Sequence, residues 1–144
     1  MAKASLSENV TLSGERFYRS VTAYDRYSEF VTGCRSAKIL LTTDRGATVE
    51  YGVALMKDIS YTLRHAHTEG TGRWGMTWEL VSSGFLEKNA GRWEITSRGE
   101  NSCHVEYDVD IEFKLPVPGF LLKKLIASSL PKMFKEFETF ASKL

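Results

Sequence analysis

Residues 115–144 of this chain, LPVPGFLLKKLIASSLPKMFKEFETFASKL, combine regularly spaced large apolar residues with lysines and three prolines, of which Pro131 interrupts the apolar pattern. On a helix, the large apolar side chains of this segment share one face. They are Leu122, Ile126, Leu130, Met133, Phe137, Phe140 and Leu144, with Ala141 at the edge. A membrane-spanning helix needs about 20 consecutive apolar residues, and the lysines interrupt every such run. We therefore predict an amphipathic helix over residues 118–144, bent at Pro131, that lies across an apolar sheet face.

The composition indicates one ordinary globular domain. The chain has 144 residues, of which 42% are hydrophobic and 26% are charged, and its formal net charge is +1. We treat residues 1–144 as a single domain, and a charge this close to zero disfavours nucleic acid as a partner. Two cysteines are too few for a disulfide scaffold, and the first ten residues lack the apolar run of a signal peptide. These features predict a cytoplasmic protein.

Between residues 35 and 115 the hydrophobic pattern alternates, which is typical of strands. The short, often glycine-containing connections between the alternating runs favour an antiparallel meander. The predicted strands are 36–44, 47–56, 59–67, 73–81, 91–97 and 103–115, preceded by one over residues 4–12. Two short helices are expected between the first strand and the meander, the first capped by Ser13 and the second by Asp25.

The last predicted strand shows which side of the sheet is apolar. Its apolar residues alternate with polar, mostly acidic ones. They are Cys103, Val105, Tyr107, Val109, Ile111 and Phe113. Trp93 of the preceding strand should share this face, which requires a hairpin loop of odd length; residues 99–101 supply one of three. The sequence thus predicts an apolar face below the C-terminal helix and an acidic outer face.

This order of elements resembles the helix-grip fold of START-like proteins, the SRPBCC superfamily. Residues 23–40 (AYDRYSEFVTGCRSAKIL), 78–113 (WELVSSGFLEKNAGRWEITSRGENSCHVEYDVDIEF) and 117–137 (VPGFLLKKLIASSLPKMFKEF) are similar to segments of polyketide cyclase/dehydrase and coenzyme-Q-binding relatives. The resemblance implies an α+β fold. Its parts are a curved antiparallel sheet of about seven strands, two short helices after the first strand, and a long C-terminal helix over the concave face.

The functions of such relatives leave three hypotheses for this chain. The first is binding, transport or sequestration of a hydrophobic small molecule, such as a lipid, a quinone or a polyketide-like compound. The second is a cofactor-independent cyclase or dehydratase that acts on a polyketide-like substrate. The third is a protein-interaction module of the ribosome-associated kind, using the acidic outer face or the basic face of the helix. None of the three requires a cofactor or a metal, and we expect neither.

The large side chains on the predicted concave face are the candidate ligand contacts. A helix about 10–12 Å wide cannot cover a strongly curved sheet of this size, so a concavity remains to be filled. The candidates are Tyr51, Tyr61, His65, His67, Trp74, Met76, Trp78, Trp93, Tyr107 and Phe113 of the strands, and Ile126, Leu130, Met133 and Phe137 of the helix. The alternative for each of them is packing in an ordinary core.

Two histidines are predicted on the inner face near a strand end. His65 and His67, followed by Glu69, have a spacing that can bind a metal, but no second cluster of ligands accompanies them. We interpret both as histidines at the rim of the cavity. There they could orient a ligand carbonyl or transfer protons, so His65, Tyr61 and Tyr107 are the candidate catalytic residues.

The first turns of the C-terminal helix form a candidate gate. Leu121 and Leu125 lie off the main apolar face beside lysines, and Phe120 lies off it on the other flank, just after Gly119. As a gate, these turns would hinge and contact an anionic membrane surface transiently while a ligand passes. The alternative is that the three side chains pack against the short helices or the loops at the end of the sheet. The sequence does not identify a protein partner.

Overall fold

A single curved antiparallel sheet forms the body of the protein. The structure, a computed structural model, describes residues 2–55 and 57–144, apart from the side chains of Ala2, Leu55, Leu125 and Ile126. The strands in this part of the chain are β1 (Ala2–Val10), β2 (Cys34–Thr43), β3 (Gly46–Leu55), β4 (Lys57–Gly70), β5 (Arg73–Ser83), β6 (Leu86–Gly99) and β7 (Ser102–Phe113). Their order across the sheet is β1-β7-β6-β5-β4-β3-β2. The predicted meander is therefore confirmed, and the first strand pairs with the last.

Short helices lie between β1 and β2 and after β7. They are α1 (Gly14–Val21), α2 (Tyr27–Phe30), α3 (Gly119–Lys124) and α4 (Leu130–Ala141). Ser13 caps α1 as predicted, because its side chain accepts a hydrogen bond from the N–H of Arg16 at 3.2 Å. Among the helices of the described residues, none is long and apolar enough to cross a bilayer.

The predicted cap of α2 is wrong. Asp25 lies within a 3-10 turn, Tyr24–Arg26, which runs directly into α2. The N–H of Arg26 bonds to the carbonyl of Ala23 at 3.0 Å, so the turn itself satisfies backbone donors that a cap would otherwise serve. No side chain among the described residues caps this helix.

The C-terminal helical segment is continuous but not uniform. Between α3 and α4 the chain forms wider, π-helical turns at Leu125–Ser129, and Pro131 lies in the first turn of α4. Proline lacks an N–H, and its ring would clash with the carbonyl four residues earlier, that of Ala127. Widening of the preceding turns relieves that clash. The long helix predicted over residues 118–144 is thus built from three consecutive pieces.

The β6–β7 hairpin keeps the predicted pairing with a different turn. Trp93 lies opposite Tyr107, so the two side chains share the concave face as predicted. Gly99, however, pairs with Ser102, which leaves a loop of two residues instead of three. Arg98 has no partner on β7 and forms a β-bulge. Because of this additional residue, the side chains of the two strands still point to the predicted faces of the sheet.

The core lies between one half of the concave face and helices α1 and α4. Phe17 of α1 is fully buried, and the ring of Phe134 in α4 packs 5.5 Å from it and 5.8 Å from that of Trp93. Gly14 lets α1 approach the sheet, because a Cβ atom there would lie only 2.4 Å from the ring of Trp74. Since α1 covers this half of the face, a cavity can form only over the half where β3, β5 and β7 end. We call that side of the sheet the open end.

The outer edge of the sheet at β2 is irregular. Ile39, Leu40 and Leu41 are all exposed on this edge strand. Ile39 pairs with Val49 and Leu41 with Thr48, so Leu40 is the additional residue of a β-bulge. The bulge breaks the regular spacing of the hydrogen-bonding groups along this edge.

Candidate binding cavity

A cavity of about 620 Å³ lies between the concave face and the C-terminal helical segment. Its volume is in the range of about 300–1,000 Å³ that is typical of small-molecule sites, and its wall is mostly apolar. The predicted contacts that line it are Tyr51, Tyr61, His65, Met76, Trp78, Trp93, Tyr107, Leu130, Met133 and Phe137. Tyr27 and Val31, which the sequence did not single out, close one side of the cavity next to α2.

Other predicted contacts lie elsewhere, and the structure corrects them. Trp74 lies beneath α1, and His67 lies near the same helix, where its Nε2 is 2.6 Å from the hydroxyl of Tyr24. Phe113 packs at the open end, outside the cavity wall. For Trp74 and His67 the alternating pattern identified the correct face, but not the part of it that α1 and the 3-10 turn cover. The side chain of Ile126 lies outside the described residues.

His65 lies within the concave face and not at the rim where the sequence placed it. Its Nδ1 is 3.2 Å from Sδ of Met76, and its Nε2 is 2.8 Å from the hydroxyl of Tyr51. The sulfur can only accept, so Nδ1 carries the proton and Nε2 accepts from the tyrosine. The ring of Tyr24 covers the imidazole at 4.2 Å, because the 3-10 turn folds over β4. Burial lowers the pKa of His65 to about 3, and nearby His67 adds to the effect.

Two tyrosines supply neutral polar groups to the cavity. Tyr61 and Tyr107 line it, and neither hydroxyl forms a hydrogen bond to a described residue. Burial raises the pKa of both hydroxyls well above the ordinary value of 10, so both stay protonated. Since His65 is a weak base with both ring nitrogens engaged, the arrangement suits hydrogen bonding to a ligand better than proton transfer. The catalytic assignment of these three residues stays a prediction.

Asn89 is a polar residue of the cavity wall that the sequence reasoning missed. It is 6% exposed, and its Oδ1 accepts a hydrogen bond of 2.9 Å from Nε1 of Trp78. The predicted strand began at residue 91, whereas β6 begins at Leu86. Residues 86–90 (LEKNA) have weak strand propensity, so only an extension of the alternation backwards from Trp93 could have found Asn89.

Residues 31–34 and the C-terminal helical segment line one side of the cavity, and we identify that side as its mouth because several of these residues are exposed. Lys124, Lys132 and Glu136 are the charged residues that line it there. The carboxylate of Glu136 accepts hydrogen bonds from the backbone N–H of Thr32, at 3.1 Å, and from the hydroxyl of the same residue. We call this contact the latch, because it joins the loop after α2 to α4 across the mouth.

The candidate gate residues lie on and just after α3. Phe120 is 71% exposed, and Leu115 before the helix is 64% exposed, whereas Leu121 is half-buried. The side chain of Leu125 lies outside the described residues. The gate therefore stays a prediction. No group of three or more His, Cys, Asp or Glu side chains in the part of the chain described by the structure is placed to hold a metal ion.

Comparison with known proteins confirms the fold. The family model described as polyketide cyclase / dehydrase and lipid transport matches residues 10–138. Ribosome association toxin RatA of Escherichia coli (strain K12) is 28% identical over 136 residues, which cover 94% of this chain and 79% of that protein. A START superfamily protein from Mycobacterium smegmatis superimposes with a TM-score of 0.84 at 20% identity, covering 99% of both chains. The Zhui aromatase/cyclase from Streptomyces sp. R1128 superimposes with a TM-score of 0.83 at 9% identity, covering 98% of this chain and 93% of that one.

Proposed function

The chain belongs to the polyketide cyclase/dehydrase and lipid transport family, and on that premise we propose that it binds an apolar small molecule in the cavity above the sheet. The observation that carries the proposal is the cavity of about 620 Å³ with its mostly apolar wall. Aromatic rings such as those of Trp78, Trp93 and Tyr107 line it. Such walls suit flat or long apolar molecules, among them lipids, quinones and polyketide-like compounds.

A neutral apolar dye, N-phenyl-1-naphthylamine, tests the proposal because its fluorescence rises in apolar surroundings. Val53 of β3 lines the cavity, and Val53→Trp would fill part of it with an indole ring. Thr48 has the opposite parity on the same strand, so Thr48→Trp adds the same ring to the outer face and serves as the control.

We expect saturable one-to-one dye binding by the wild type and by Thr48→Trp, and none by Val53→Trp. Circular dichroism would establish that all three proteins are folded. Equal binding by the two variants would contradict the proposal, and so would a wild type that binds no dye.

The proposal includes ligand uptake at a membrane surface. Phe120 and Leu115 expose apolar surface at the open end, and Lys123 and Lys124 lie in the last turn of α3. Apolar side chains beside cations suit a surface of anionic lipid. We assign α3 as the gate, which contacts such a surface transiently while the ligand passes the mouth. In the cytoplasmic location predicted from the sequence, the inner leaflet would supply the anionic lipid.

Association with the ribosome is a second candidate function, which the likeness to RatA supports. The outer face carries charges of both signs: Arg92 pairs with Asp108 at 2.8 Å, and Lys88 pairs with Asp110 at 2.8 Å. Paired charges do not attract RNA as a uniform basic surface would, so this function would require specific protein contacts. Cosedimentation with purified ribosomal particles over a series of salt concentrations tests it, and a protein that stays at the top of the gradient at low salt would exclude it.

A further inference from the structure

The orientation of the Asn89 side chain is fixed by Trp78. The indole Nε1–H can only donate, so the amide atom 2.9 Å from it must be the oxygen, Oδ1. The other end of the amide, Nδ2, therefore carries two N–H donors that are not used by the tryptophan. No described residue accepts a hydrogen bond from Nδ2, although Asn89 is only 6% exposed and lines the cavity.

Trp78 is itself held in place. Gly91 lies under its ring, where a Cβ atom would come within 2.4 Å of Cζ2, and the ring of Tyr107 packs at 5.7 Å. Because the indole cannot turn without leaving these contacts, the amide it anchors keeps its donors directed away from Oδ1. The donors are thus positioned before any ligand arrives, which lowers the entropy cost of binding.

The surroundings of this donor are uncharged. The titratable groups that share the inner cavity wall with Asn89 include the hydroxyls of Tyr61 and Tyr107, which stay protonated, and His65, which stays neutral. The charged residues that line the cavity belong to the C-terminal helical segment at the mouth. An anionic group beside Asn89 would lose its hydration without gaining a cation, whereas a neutral acceptor would lose little.

We propose that the cavity selects apolar molecules that carry an uncharged carbonyl oxygen, and that Nδ2 of Asn89 donates a hydrogen bond to that oxygen. This inference rests on the proposed function, because it requires that an apolar molecule enters the cavity. It adds a specificity-determining residue, and it names the ligand class as ketones and esters with an apolar body.

Fluorene and 9-fluorenone test this inference because they share one ring skeleton. Fluorene has a methylene group where 9-fluorenone has a carbonyl group. We would measure both dissociation constants for the wild type, for Asn89→Leu, for Asn101→Leu as a control in the exposed β6–β7 turn, and for Tyr107→Phe, which removes a competing donor of the wall. The preference for 9-fluorenone over fluorene should be about tenfold greater in the wild type than in Asn89→Leu. It should be unchanged in Asn101→Leu, and Tyr107→Phe should lose less of it than Asn89→Leu does. Fluorene and 9-fluorenone differ in hydration, but this difference is the same for every protein variant. It therefore cancels when the ratio of the two dissociation constants is compared between variants.

Asn89→Met covers the case in which the leucine variant does not fold. The methionine sulfur is a weak acceptor that can face Trp78, and the side chain has no donor for a carbonyl, so the same loss of preference is expected. Equal preference in the wild type and the Asn89 variant, with fluorene bound by both, would overturn the inference and leave the proposed function standing. A loss of preference in Tyr107→Phe as large as that in Asn89→Leu would overturn the assignment to Asn89. Failure of the wild type to bind either compound would overturn the proposed function and the inference together.

Discussion

The latch at the mouth of the cavity should control how fast a ligand leaves. Glu136→Ala removes the acceptor for both the N–H and the hydroxyl of Thr32. Hydrogen bonds to a charged group are worth about 1.5–3 kcal/mol when buried, and these are exposed, so we take about 1–2 kcal/mol for the pair. If the loop must leave α4 before the ligand can pass, this loss corresponds to a dissociation rate about five to thirty times faster. Association passes through the same opening, so the dissociation constant should change much less.

Stopped-flow fluorescence measures this rate directly. Protein loaded with N-phenyl-1-naphthylamine would be mixed with an excess of lipid vesicles, and the decay of the bound-dye signal would be followed. Glu138→Ala is the matched control, because Glu138 lies on the same helix but pairs with Lys135 at 3.3 Å instead of with the loop. Equal dissociation rates in the two variants would refute the assignment of the latch.

Three further predictions concern the pH dependence of stability, the gate and the cavity wall. Between pH 6.5 and about 3 the unfolded chain protonates His65 while the folded one does not. The free energy of unfolding should therefore decrease as the pH is lowered through this range, by at most about 1.4 kcal/mol per pH unit. His65→Gln should flatten that part of a urea-unfolding profile, and an unaltered profile would contradict the low pKa. Phe120→Glu should slow dye transfer from anionic vesicles several-fold, whereas Leu41→Glu, at a similarly exposed residue of the β2 edge, should not; equal transfer by both variants would argue against the gate. Tyr107→Ala should weaken dye binding more than tenfold and lower the free energy of unfolding by about 3 kcal/mol, because the side chain is 5% exposed. Wild-type dye affinity in a folded Tyr107→Ala variant would exclude a role in binding.

The sequence predicted the sheet and its inner face because the side chains of a strand alternate with a period of two. Tyr61, His65 and His67 have the same parity on β4, and all were assigned to the concave face. The pattern could not show that α1 and the 3-10 turn would cover His67 and leave Tyr61 in the cavity. That division depends on tertiary contacts such as the close approach at Gly14, for which a strand pattern has no signal.

Other differences arise where local preference and packing disagree. Residues 86–90 have weak strand propensity, yet they form the start of β6 because β7 provides a partner for them. Phe134 was left out of the apolar helix face, although it is 3% exposed and contacts both α1 and the sheet. The apolar helix face predicted from the sequence was too narrow. In the structure α4 packs against both α1 and the sheet, so a wider face of the helix is buried.

The bulge in β2 has a consequence for the behaviour of the protein at high concentration. An edge strand that exposes Ile39, Leu40 and Leu41 is a surface on which a second chain could add its own strand. A regular ladder would require evenly spaced donors and acceptors along the whole edge, and Leu40 shifts that spacing by one residue midway. An incoming strand could therefore match only one half of the edge at a time, and a contact so short is weak. The register shifts at Arg35 and Leu40 thus oppose growth of this edge into stacked assemblies while its apolar side chains remain in water.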